Sequence, residues 1–411
     1  MTARNPIEDL AHLRHEFGEH GGVNMSVEAS STFTVIDPET MPEMFQGRAG
    51  PDKGCYLYGR HFNPTVYNLG RQMAALAGTD AAYCTASGMG AISAVVLCLC
   101  NAGDEVVASN AVYGGTFALL NDFLPVKCGI TTRFVDITDV DAVRAAITDK
   151  TRLIYTESIA NPTLRLADFP ALGGVAKERG IPLVVDNTFT PLILRPAALG
   201  ADIVVHSITK FISGASDIIA GAICGTEAFI GELMDLHMGP LMLLGPTMDP
   251  NVAAAISLRI PHLPLRMKAH GDRALAIAGR LQELGLKVEY PGLKSHPDHA
   301  LFDELHCEDY GFGGVFTLDL GSEERANRLM DCLQNKRRFG YMAVSLGYFD
   351  TLMSCSGSST SSELGDEQKS AAGISAGLLR ISIGYTGTLE QRWGQLESAL
   401  RECGIVRKSA A

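Results

Sequence analysis

The chain lacks the long apolar runs and the leader that would direct it into or across a membrane. No run approaches the roughly 20 consecutive apolar residues that span a bilayer. The segment Met1–Asp9 contains no apolar stretch of the secretory type. We therefore expect a soluble, cytoplasmic protein with no membrane partner.

Basic charge is also scarce. The 34 Lys and Arg residues are outnumbered by 46 Asp and Glu, which leaves a net charge of −12. This balance disfavours nucleic acid and anionic membrane surfaces as main partners, because both bind proteins through basic patches. An anionic ligand must therefore be held locally, by a few basic side chains or by backbone amides.

Paired cysteines of the metal-binding kind are absent. The ten cysteines contain no Cys-x-x-Cys pair of a zinc site or a redox motif. Cys98 and Cys100 are too close in sequence for a usual disulfide, and they lie in an apolar run. We expect buried free thiols in a reducing cytosol, and no metal site.

Alternating strands and helices are what the chain contains instead. Its 411 residues, of which 46% are hydrophobic and 19% charged, suffice for two or three globular domains. Asn63 and Pro64 form a helix start, with Asn63 as N-cap of a helix that runs to about Ala77. The predicted strands that follow are Ala81–Thr85, Glu105–Ala108, Thr132–Ile137, Leu153–Glu157, Leu183–Asp186 and Ile203–His206. The predicted helices between them are Met89–Leu99, Thr116–Phe123, Val140–Ile147 and Leu172–Arg179. This pattern predicts an α/β fold, with a mainly parallel sheet covered by helices on both faces.

Three regions are expected along the chain. Residues 1–60 show little periodicity beyond a helix around Asp9–Phe17 and an extended Glu28–Val35, so we expect an arm that contacts a neighbouring subunit. Residues 61–258 form the predicted large, ligand-binding domain, and residues 259–411 a smaller C-terminal α+β domain. The elements predicted for the smaller domain are the helices Leu265–Leu284, Glu323–Leu333 and Leu389–Glu402, the strands Val288–Tyr290, Val315–Leu320, Met342–Leu346 and Leu378–Ile383, and a loop at Ser354–Ser362.

An acid and an amine are expected at one edge of the sheet. The strand Leu183–Asp186 ends in a carboxylate, and the strand Ile203–His206 is followed by Ser207, Thr209 and Lys210. Ligands of open α/β sheets lie beyond the carboxyl ends of the strands. Pyridoxal 5'-phosphate (PLP) needs this combination, with a lysine for covalent attachment and an acid for its pyridinium nitrogen. Each segment alone is equally compatible with a strand that happens to end in Asp, or with a surface lysine.

A glycine-rich turn is the predicted site for the phosphate. Ala86-Ser-Gly-Met-Gly90 follows a strand and opens a helix, where backbone amides and the helix N-terminus favour an anion. Many such turns only close a βα unit, and no Lys or Arg accompanies this one. The segment Tyr58–Pro64 can supply the charge, with Arg60 for a bidentate contact and Tyr58 as a hydroxyl donor. Alone, that segment is as compatible with a solvent-facing arm.

Three further polar residues lie where a ligand is expected. Tyr113 follows a strand, and it can stack on a pyridine ring and act as an acid or base, or else be a core tyrosine. Asn161 can bond a ring hydroxyl or merely form a turn. Arg380 interrupts an apolar strand and needs an anionic partner, either a substrate α-carboxylate or a structural Asp or Glu.

Six motifs, taken in order, resemble one enzyme family. They are Tyr58-Gly-Arg-His-Phe-Asn-Pro-Thr65, Ser87-Gly-Met89, Tyr113-Gly-Gly-Thr116, Asn161-Pro-Thr163, Val185-Asp-Asn-Thr-Phe189 and Ser207-Ile-Thr-Lys210. The pattern is similar to the Cys/Met-metabolism family of PLP enzymes, which includes cystathionine γ-synthase, cystathionine γ-lyase and methionine γ-lyase. The resemblance extends over residues 20–403. Within the family, Val344–Ser362 and Leu243–Met248 most resemble the plant-type methionine γ-lyases.

The resemblance implies a fold-type-I, PLP-dependent transferase-like fold and a role for each motif residue. Lys210 would carry PLP, Asp186 would pair with the ring nitrogen, and Tyr113 would stack on the ring and serve the leaving group. The residues implied for the phosphate are Gly88, Met89, Ser207 and Thr209, joined by Tyr58 and Arg60 from the adjacent subunit. Those implied for the substrate carboxylate are Ser345 and Arg380, with Asn161 nearby.

The same resemblance implies an activity and an assembly. The expected reaction is α,γ-elimination of the small-molecule substrate L-methionine to 2-oxobutanoate, ammonia and methanethiol, by a homotetramer of two catalytic dimers. The motifs would serve cystathionine or homocysteine cleavage equally, as well as γ-replacement on an activated homoserine ester. A PLP-binding regulator without turnover is the alternative from another class. Tyr113 and Arg380 disfavour it, because a carrier needs only Lys210.

Two positions depart from the family pattern. Bacterial methionine γ-lyases usually carry Cys at the position of Gly115, so a different pocket for the thioether is expected here. Many relatives have Gly-His-Ser-Asp after the lysine, whereas this chain has Gly214-Ala-Ser-Asp217.

Overall fold

The structure, a computed structural model, describes residues 5–13, 17–356 and 373–406. Its larger sheet has seven strands in the order β1-β7-β6-β5-β4-β2-β3. These strands are β1 Ala81–Thr85, β2 Glu105–Ser109, β3 Thr131–Val135, β4 Thr151–Glu157, β5 Leu183–Asp186, β6 Ile203–His206 and β7 Gly221–Gly225. The five neighbouring strands β6, β5, β4, β2 and β3 pair in parallel. The strand β7 runs antiparallel to both of its neighbours, β6 and β1.

The strand β7 is absent from the sequence-based prediction, and it changes the edge of the sheet from parallel to antiparallel. The strand begins and ends with glycine, a residue that is depleted in strands. Its local sequence therefore does not predict a strand. The glycine at its start is required by packing, because a Cβ on Gly221 would lie 2.3 Å from the carbonyl oxygen of Ser87. The remainder of the mainly parallel prediction is confirmed.

Helices cover both faces of this sheet. Successive strand residues alternate between two apolar clusters: Val107, Ile154 and Val185 belong to one, and Val106 and Leu153 to the other. The helices up to Arg259 are α1 Pro6–Leu13, α2 Thr40–Phe45, α3 Pro64–Ala77, α4 Gly88–Leu99, α5 Gly114–Ala118, α6 Leu124–Cys128, α7 Val140–Ala146, α8 Phe169–Arg179, α9 Glu227–Leu233, α10 Pro240–Leu244 and α11 Pro250–Arg259. The predicted helix start is confirmed, since the Asn63 side chain accepts the backbone N–H groups of Thr65 and Val66.

A second sheet follows in the chain. Its strands are β8 Val288–Glu289, β9 Val315–Asp319, β10 Tyr341–Met342, β11 Leu352–Cys355 and β12 Leu378–Ser382, in the order β10-β11-β12-β9-β8. The helices of this part are α12 Leu263–Glu283, α13 His299–Leu305, α14 Glu323–Asp331 and α15 Leu389–Glu402. The domain boundaries drawn from the sequence stay predictions.

Two predictions in this second part are wrong. The strand expected over Met342–Leu346 ends at Met342, because Ser345 and Gly347 adopt φ angles of 101° and 78°, which an extended strand does not allow. The predicted start of the loop Ser354–Ser362 is too early, since Ser354 and Cys355 belong to β11. Residues 357–362 lie outside the described part of the chain.

The arm at the start of the chain contains little regular structure. The helix predicted around Asp9–Phe17 corresponds to α1, which begins three residues earlier, at Pro6. Residues 14–16 lie outside the described part of the chain. The predicted extended segment makes only an isolated bridge, between Thr32 and Tyr58. None of the helices in the described ranges is long and apolar enough to cross a membrane.

Candidate active site

The carboxyl ends of the parallel strands carry the polar groups predicted from the sequence. Asp186 is the last residue of β5, and Ser207 follows β6 directly. Lys210 lies one turn further on, where it is half-buried, and its Nζ donates to the Oγ of Ser345 at 3.0 Å. Burial and the nearby charge of Arg380 lower the pKa of Lys210, while Asp186 opposes that shift.

Ser345 connects the amine to a buried guanidinium. Its hydroxyl accepts from Lys210, and its carbonyl accepts from Nη2 of Arg380 at 3.0 Å. A φ of 101° is unfavourable for a residue with a Cβ, so this conformation is maintained by its surroundings. Such strain is typical of functional sites.

Arg380 lies within β12 and is only 3% exposed. Its Nη1 donates to Oδ1 of Asn161 at 3.0 Å, so its hydrogen bonds within the described residues go to neutral oxygens, here and at Ser345. Burial lowers the pKa of Arg380 to about 10, against the nearby charges of Tyr113 and Glu157. A buried cation without a carboxylate in direct contact is suited to a carboxylate that arrives with a ligand.

Asp186 is held by Thr188, two residues later. The backbone N–H and the hydroxyl of Thr188 both donate to Oδ1 of Asp186, at 2.9 and 2.5 Å. The same hydroxyl accepts the N–H of Ser207 at 2.8 Å, and it thereby joins the two strand ends. Burial raises the pKa of Asp186 to about 6, and the Thr188 hydrogen bonds oppose that rise. Thr188 is missing from the sequence-based set, although an Asp followed by a hydroxyl residue two positions later is a recognisable turn signal.

The glycine-rich turn begins α4 and lies against the end of β6. Ser87 caps the helix by accepting the N–H of Gly90 at 3.0 Å. A Cβ on Gly88 would lie 2.9 Å from the Cβ of Ser207, so glycine is needed for this approach. Thr209 is close by, and its hydroxyl bonds to the backbone of Ala220, accepting at 2.9 Å and donating at 3.1 Å.

Tyr58 and Arg60 line a groove that does not include the amine. The guanidinium of Arg60 donates to the carbonyl of Met242 and lies 5.6 Å from the centre of the Tyr58 ring. Both residues line an open groove of about 1840 Å³. The groove is bordered by the arm, α3 and α9, and its lining includes neither Lys210 nor Arg380. Within one chain, the structure therefore does not bring these two residues to the amine.

Tyr113 and Asn161 meet at a carboxylate that the sequence-based prediction missed. Glu157, the last residue of β4, accepts the N–H of Tyr113 at 2.6 Å through Oε1 and that of Asn161 at 3.2 Å through Oε2. Burial, together with the neighbouring Asp186, raises the pKa of Glu157 to about 8. Tyr113 is 45% exposed, and its ring lies over Gly115, where a Cβ would be 2.6 Å from the ring Cε1.

The segment after Lys210 is held by two arginines. Arg266 donates to the carbonyls of Phe211 and Ile212, the latter at 2.8 Å. Arg259 makes a bidentate pair with Asp217, both contacts measuring 2.7 Å. The aspartate of the altered Gly214–Asp217 motif therefore keeps a cationic partner. Nothing in the structure explains why Ala215 replaces the imidazole of many relatives.

This set of groups fits PLP. Lys210 would supply the amine and Asp186 an acid for the ring nitrogen, and at the turn a side chain on Gly88 would collide with Ser207. In the described ranges, no group of three or more His, Cys, Asp or Glu could hold a metal ion, and none of the ten cysteines forms a disulfide there.

A lysine and an acid at the carboxyl edge of a mainly parallel sheet, beside a glycine-rich turn, define a PLP-dependent enzyme of fold type I. The profile described as "Cys/Met metabolism PLP-dependent enzyme" matches residues 10–392, and the chain belongs to that family. PLP is accordingly its cofactor.

Individual relatives and solved structures agree with this assignment. The chain is 62% identical to the methionine gamma-lyase of Arabidopsis thaliana over 96% of its own length and 90% of the relative. It is 37% identical to the L-methionine gamma-lyase of Pseudomonas putida, over 91% and 92% of the two chains. A putative O-acetylhomoserine (thiol)-lyase from Campylobacter jejuni, solved with a pyridoxyl-lysine phosphate, superposes with a TM-score of 0.89 at 26% identity, over 97% of this chain and 100% of that one.

Proposed function

We propose that this enzyme is a carbon-sulfur lyase that converts L-methionine and water to 2-oxobutanoate, ammonia and methanethiol. The observation that carries the proposal is the 62% identity with the Arabidopsis methionine gamma-lyase across nearly the whole chain. The site supports it, because a binding place for a carboxylate lies beside an amine and an exposed phenol.

Arg380 would bind the α-carboxylate of the substrate. Its guanidinium is buried and already directed by Asn161 and Ser345, so a bidentate pair with a carboxylate needs little rearrangement. Fixing the carboxylate orients the Cα–H bond towards Lys210. Ser345 would supply a further contact.

PLP, when bound, supplies an electron sink that makes a substrate proton acidic. Asp186 would bind its ring nitrogen and keep a proton there. Lys210 would hold the cofactor, and the residues proposed for its phosphate are Gly88, Met89, Ser207 and Thr209. Asn161 would also lie against the cofactor.

Lys210 and Tyr113 would move the protons. The pKa of Lys210 is lowered by burial, which favours the neutral amine that can accept the Cα proton at Nζ. Tyr113 is exposed on the ligand side of the sheet, and its phenol would protonate the departing sulfur. These two residues are the proposed catalytic residues.

We propose that the phosphate charge is completed by a second copy of the chain. Tyr58 and Arg60 line a groove that does not include Lys210, so they would act on the partner's site. This requires at least a closed dimer with residues 1–60 as the connecting arm, and we propose a tetramer of two such dimers. A cytoplasmic location stays a prediction.

A product assay tests the substrate. We expect purified, PLP-loaded enzyme to release 2-oxobutanoate and methanethiol from L-methionine. Arg380→Ala should raise KM by about tenfold or more, because it removes binding common to ground and transition states. The surface variant Arg280→Ala, whose side chain pairs with Glu390 away from the site, should retain wild-type constants.

The same assay with homocysteine, cystathionine and cysteine separates this activity from its relatives. The chain is also 36% identical to a Bacillus subtilis cystathionine gamma-lyase over 89% of its length. If methionine yields no keto acid while cystathionine, or an activated homoserine ester with a thiol, reacts readily, methionine is not the substrate.

A further inference from the structure

Glu157 is a buried carboxylate at the centre of the site, with no role among the residues predicted from the sequence. It ends β4, which lies between β2 and β5 in the sheet, and it is only 6% exposed. Because β2 and β4 are parallel neighbours, the loops that follow them emerge side by side. The first loop carries Tyr113 and the second carries Asn161, and the Glu157 side chain bridges them.

Under the proposed function, the two bridged residues would serve opposite ends of an amino-acid substrate. Tyr113 would act at the side-chain end, whereas Asn161 bonds to Arg380, the proposed partner of the carboxylate. One planar carboxylate accepts both backbone N–H groups, one on each oxygen, at 2.6 and 3.2 Å. The distance between the two loops is therefore limited by the width of a single functional group.

Burying this carboxylate is costly. Desolvation and the neighbouring Asp186 raise its pKa to about 8, whereas the two N–H groups and Arg380 favour its charged form. Glutamine in this place would avoid that cost, but its NH2 group could not accept the second N–H group. The free-energy cost of burying Glu157 therefore indicates that the carboxyl group is needed by the site and not by the fold.

We propose that Glu157 is a positioning residue that holds Tyr113 and Asn161 at a fixed separation, so that substrate carboxylate and leaving group are oriented together. This role rests on the proposed function, because it requires both residues to face an amino-acid ligand. It acts through the two backbone segments and involves no contact between Glu157 and the substrate.

The test uses two substitutions in the PLP-loaded enzyme. Glu157→Gln keeps the shape but replaces one acceptor oxygen with an NH2 group, which opposes one of the two N–H groups. Glu157→Asp keeps the charge but is shorter by one methylene, so it cannot span both loops. We expect each variant to lower kcat and to raise KM, with kcat/KM reduced about tenfold or more. The visible absorbance of the bound cofactor should be unchanged.

Asp104→Asn is the matched control. Asp104 is also buried, accepts a backbone N–H at 2.8 Å and pairs with Arg152, but it lies just before β2 begins, at the opposite end of the sheet from Lys210. We expect it to lower the unfolding temperature without altering kcat or KM. Wild-type kcat and KM in Glu157→Gln would overturn the proposal. Wild-type constants in Glu157→Asp would also overturn it, because charge alone would then suffice.

Ligand binding keeps this test independent of the substrate assignment. L-Norleucine has the length of methionine but no sulfur leaving group, and its binding can be followed by the cofactor absorbance. We expect about tenfold weaker binding to Glu157→Gln than to the wild type, even if the enzyme prefers cystathionine to methionine. Equal binding of norleucine to both would contradict the positioning role.

Discussion

Two glycines of this site allow neighbouring side chains to approach the backbone closely. A Cβ on Gly115 would be 2.6 Å from the ring of Tyr113, and a Cβ on Gly88 would be 2.9 Å from that of Ser207. Both separations are too short for carbon atoms in contact, so each glycine allows its neighbour to approach. The departure from the bacterial pattern at Gly115 therefore acts on the position of the Tyr113 ring, which is proposed to be catalytic.

Gly115→Ala should displace that ring. The added methyl group has to push the phenol of Tyr113 away, and we expect kcat to fall several-fold. The unfolding temperature should stay the same or rise, because alanine favours a helix by about 1 kcal/mol over glycine. Steady-state kinetics and thermal unfolding measure the two effects.

Gly174→Ala is the control for this prediction. Gly174 also lies in a helix, α8, and a Cβ there would meet nothing within 4 Å. It should gain the same helix stabilisation without a change in kcat. A kcat for Gly115→Ala equal to that of Gly174→Ala would show that the ring does not depend on Gly115.

At the level of elements, the polar residues of the site lie at or after the ends of strands, and the long helix α12 packs against the segments that follow them. Arg380 lies in β12, and Ile383 directly follows that strand. His270 on α12 fixes this place, because its Nδ1 lies 2.6 Å from the carbonyl oxygen of Ile383. Its ring also makes edge contacts with Phe211 and Tyr385.

This histidine should make stability dependent on pH. Burial lowers the pKa of His270 from 6.5 to about 4. Between these values the unfolded chain binds a proton that the folded chain does not, so stability is retained above pH 6.5 and lost as the pH falls towards 4. The loss is on the order of 3 kcal/mol, since the two pKa values differ by about 2.5 and one pKa unit corresponds to about 1.4 kcal/mol.

His270→Asn isolates this contribution. The amide of asparagine can replace the Nδ1–H donor to Ile383 but does not titrate. The unfolding temperatures of variant and wild type should therefore converge as the pH is lowered from 6.5 to 4, while the shared effects of His206 and His296 cancel. A constant difference across that range would refute the assignment.

At the level of the whole molecule, we propose that one chain does not complete its own site. The amine, acid and guanidinium lie together at the sheet edge, whereas Arg60 is in the groove beside the arm. The phosphate turn contains no basic side chain, so the dianion requires charge from elsewhere. A shared site explains both observations.

Mixed dimers test this sharing. Lys210→Ala should abolish turnover and the absorbance of the lysine-bound cofactor, and Arg60→Ala should greatly weaken PLP binding. When the two variants exchange subunits, one site of each mixed dimer is intact, and up to about half of the wild-type activity per mixed dimer should return. No recovery after verified subunit exchange would show that each chain supplies both Lys210 and Arg60 to its own site.

Several features of this enzyme could be predicted from the sequence because they depend on neighbours along the chain. Strands that are buried on both faces consist of consecutive apolar residues, and this pattern is visible in the sequence. The predicted bounds of β5 and β6 are therefore correct. A helix cap needs only two or three consecutive residues, as at Asn63. Since parallel strands end at the same edge, Asp186 and Lys210 were expected together. The Cys/Met-metabolism family followed from motif order.

Tertiary structure alone decided how distant groups meet. Asn161 and Arg380 are 219 positions apart and touch only because β12 lies beside the edge of the larger sheet. The φ of Ser345 and the antiparallel β7 are imposed by packing, which overrides local preference. Glu157 carries no signal in the sequence beyond an acid at a strand end. Its function depends on two loops that converge in space, and no local pattern records such a convergence.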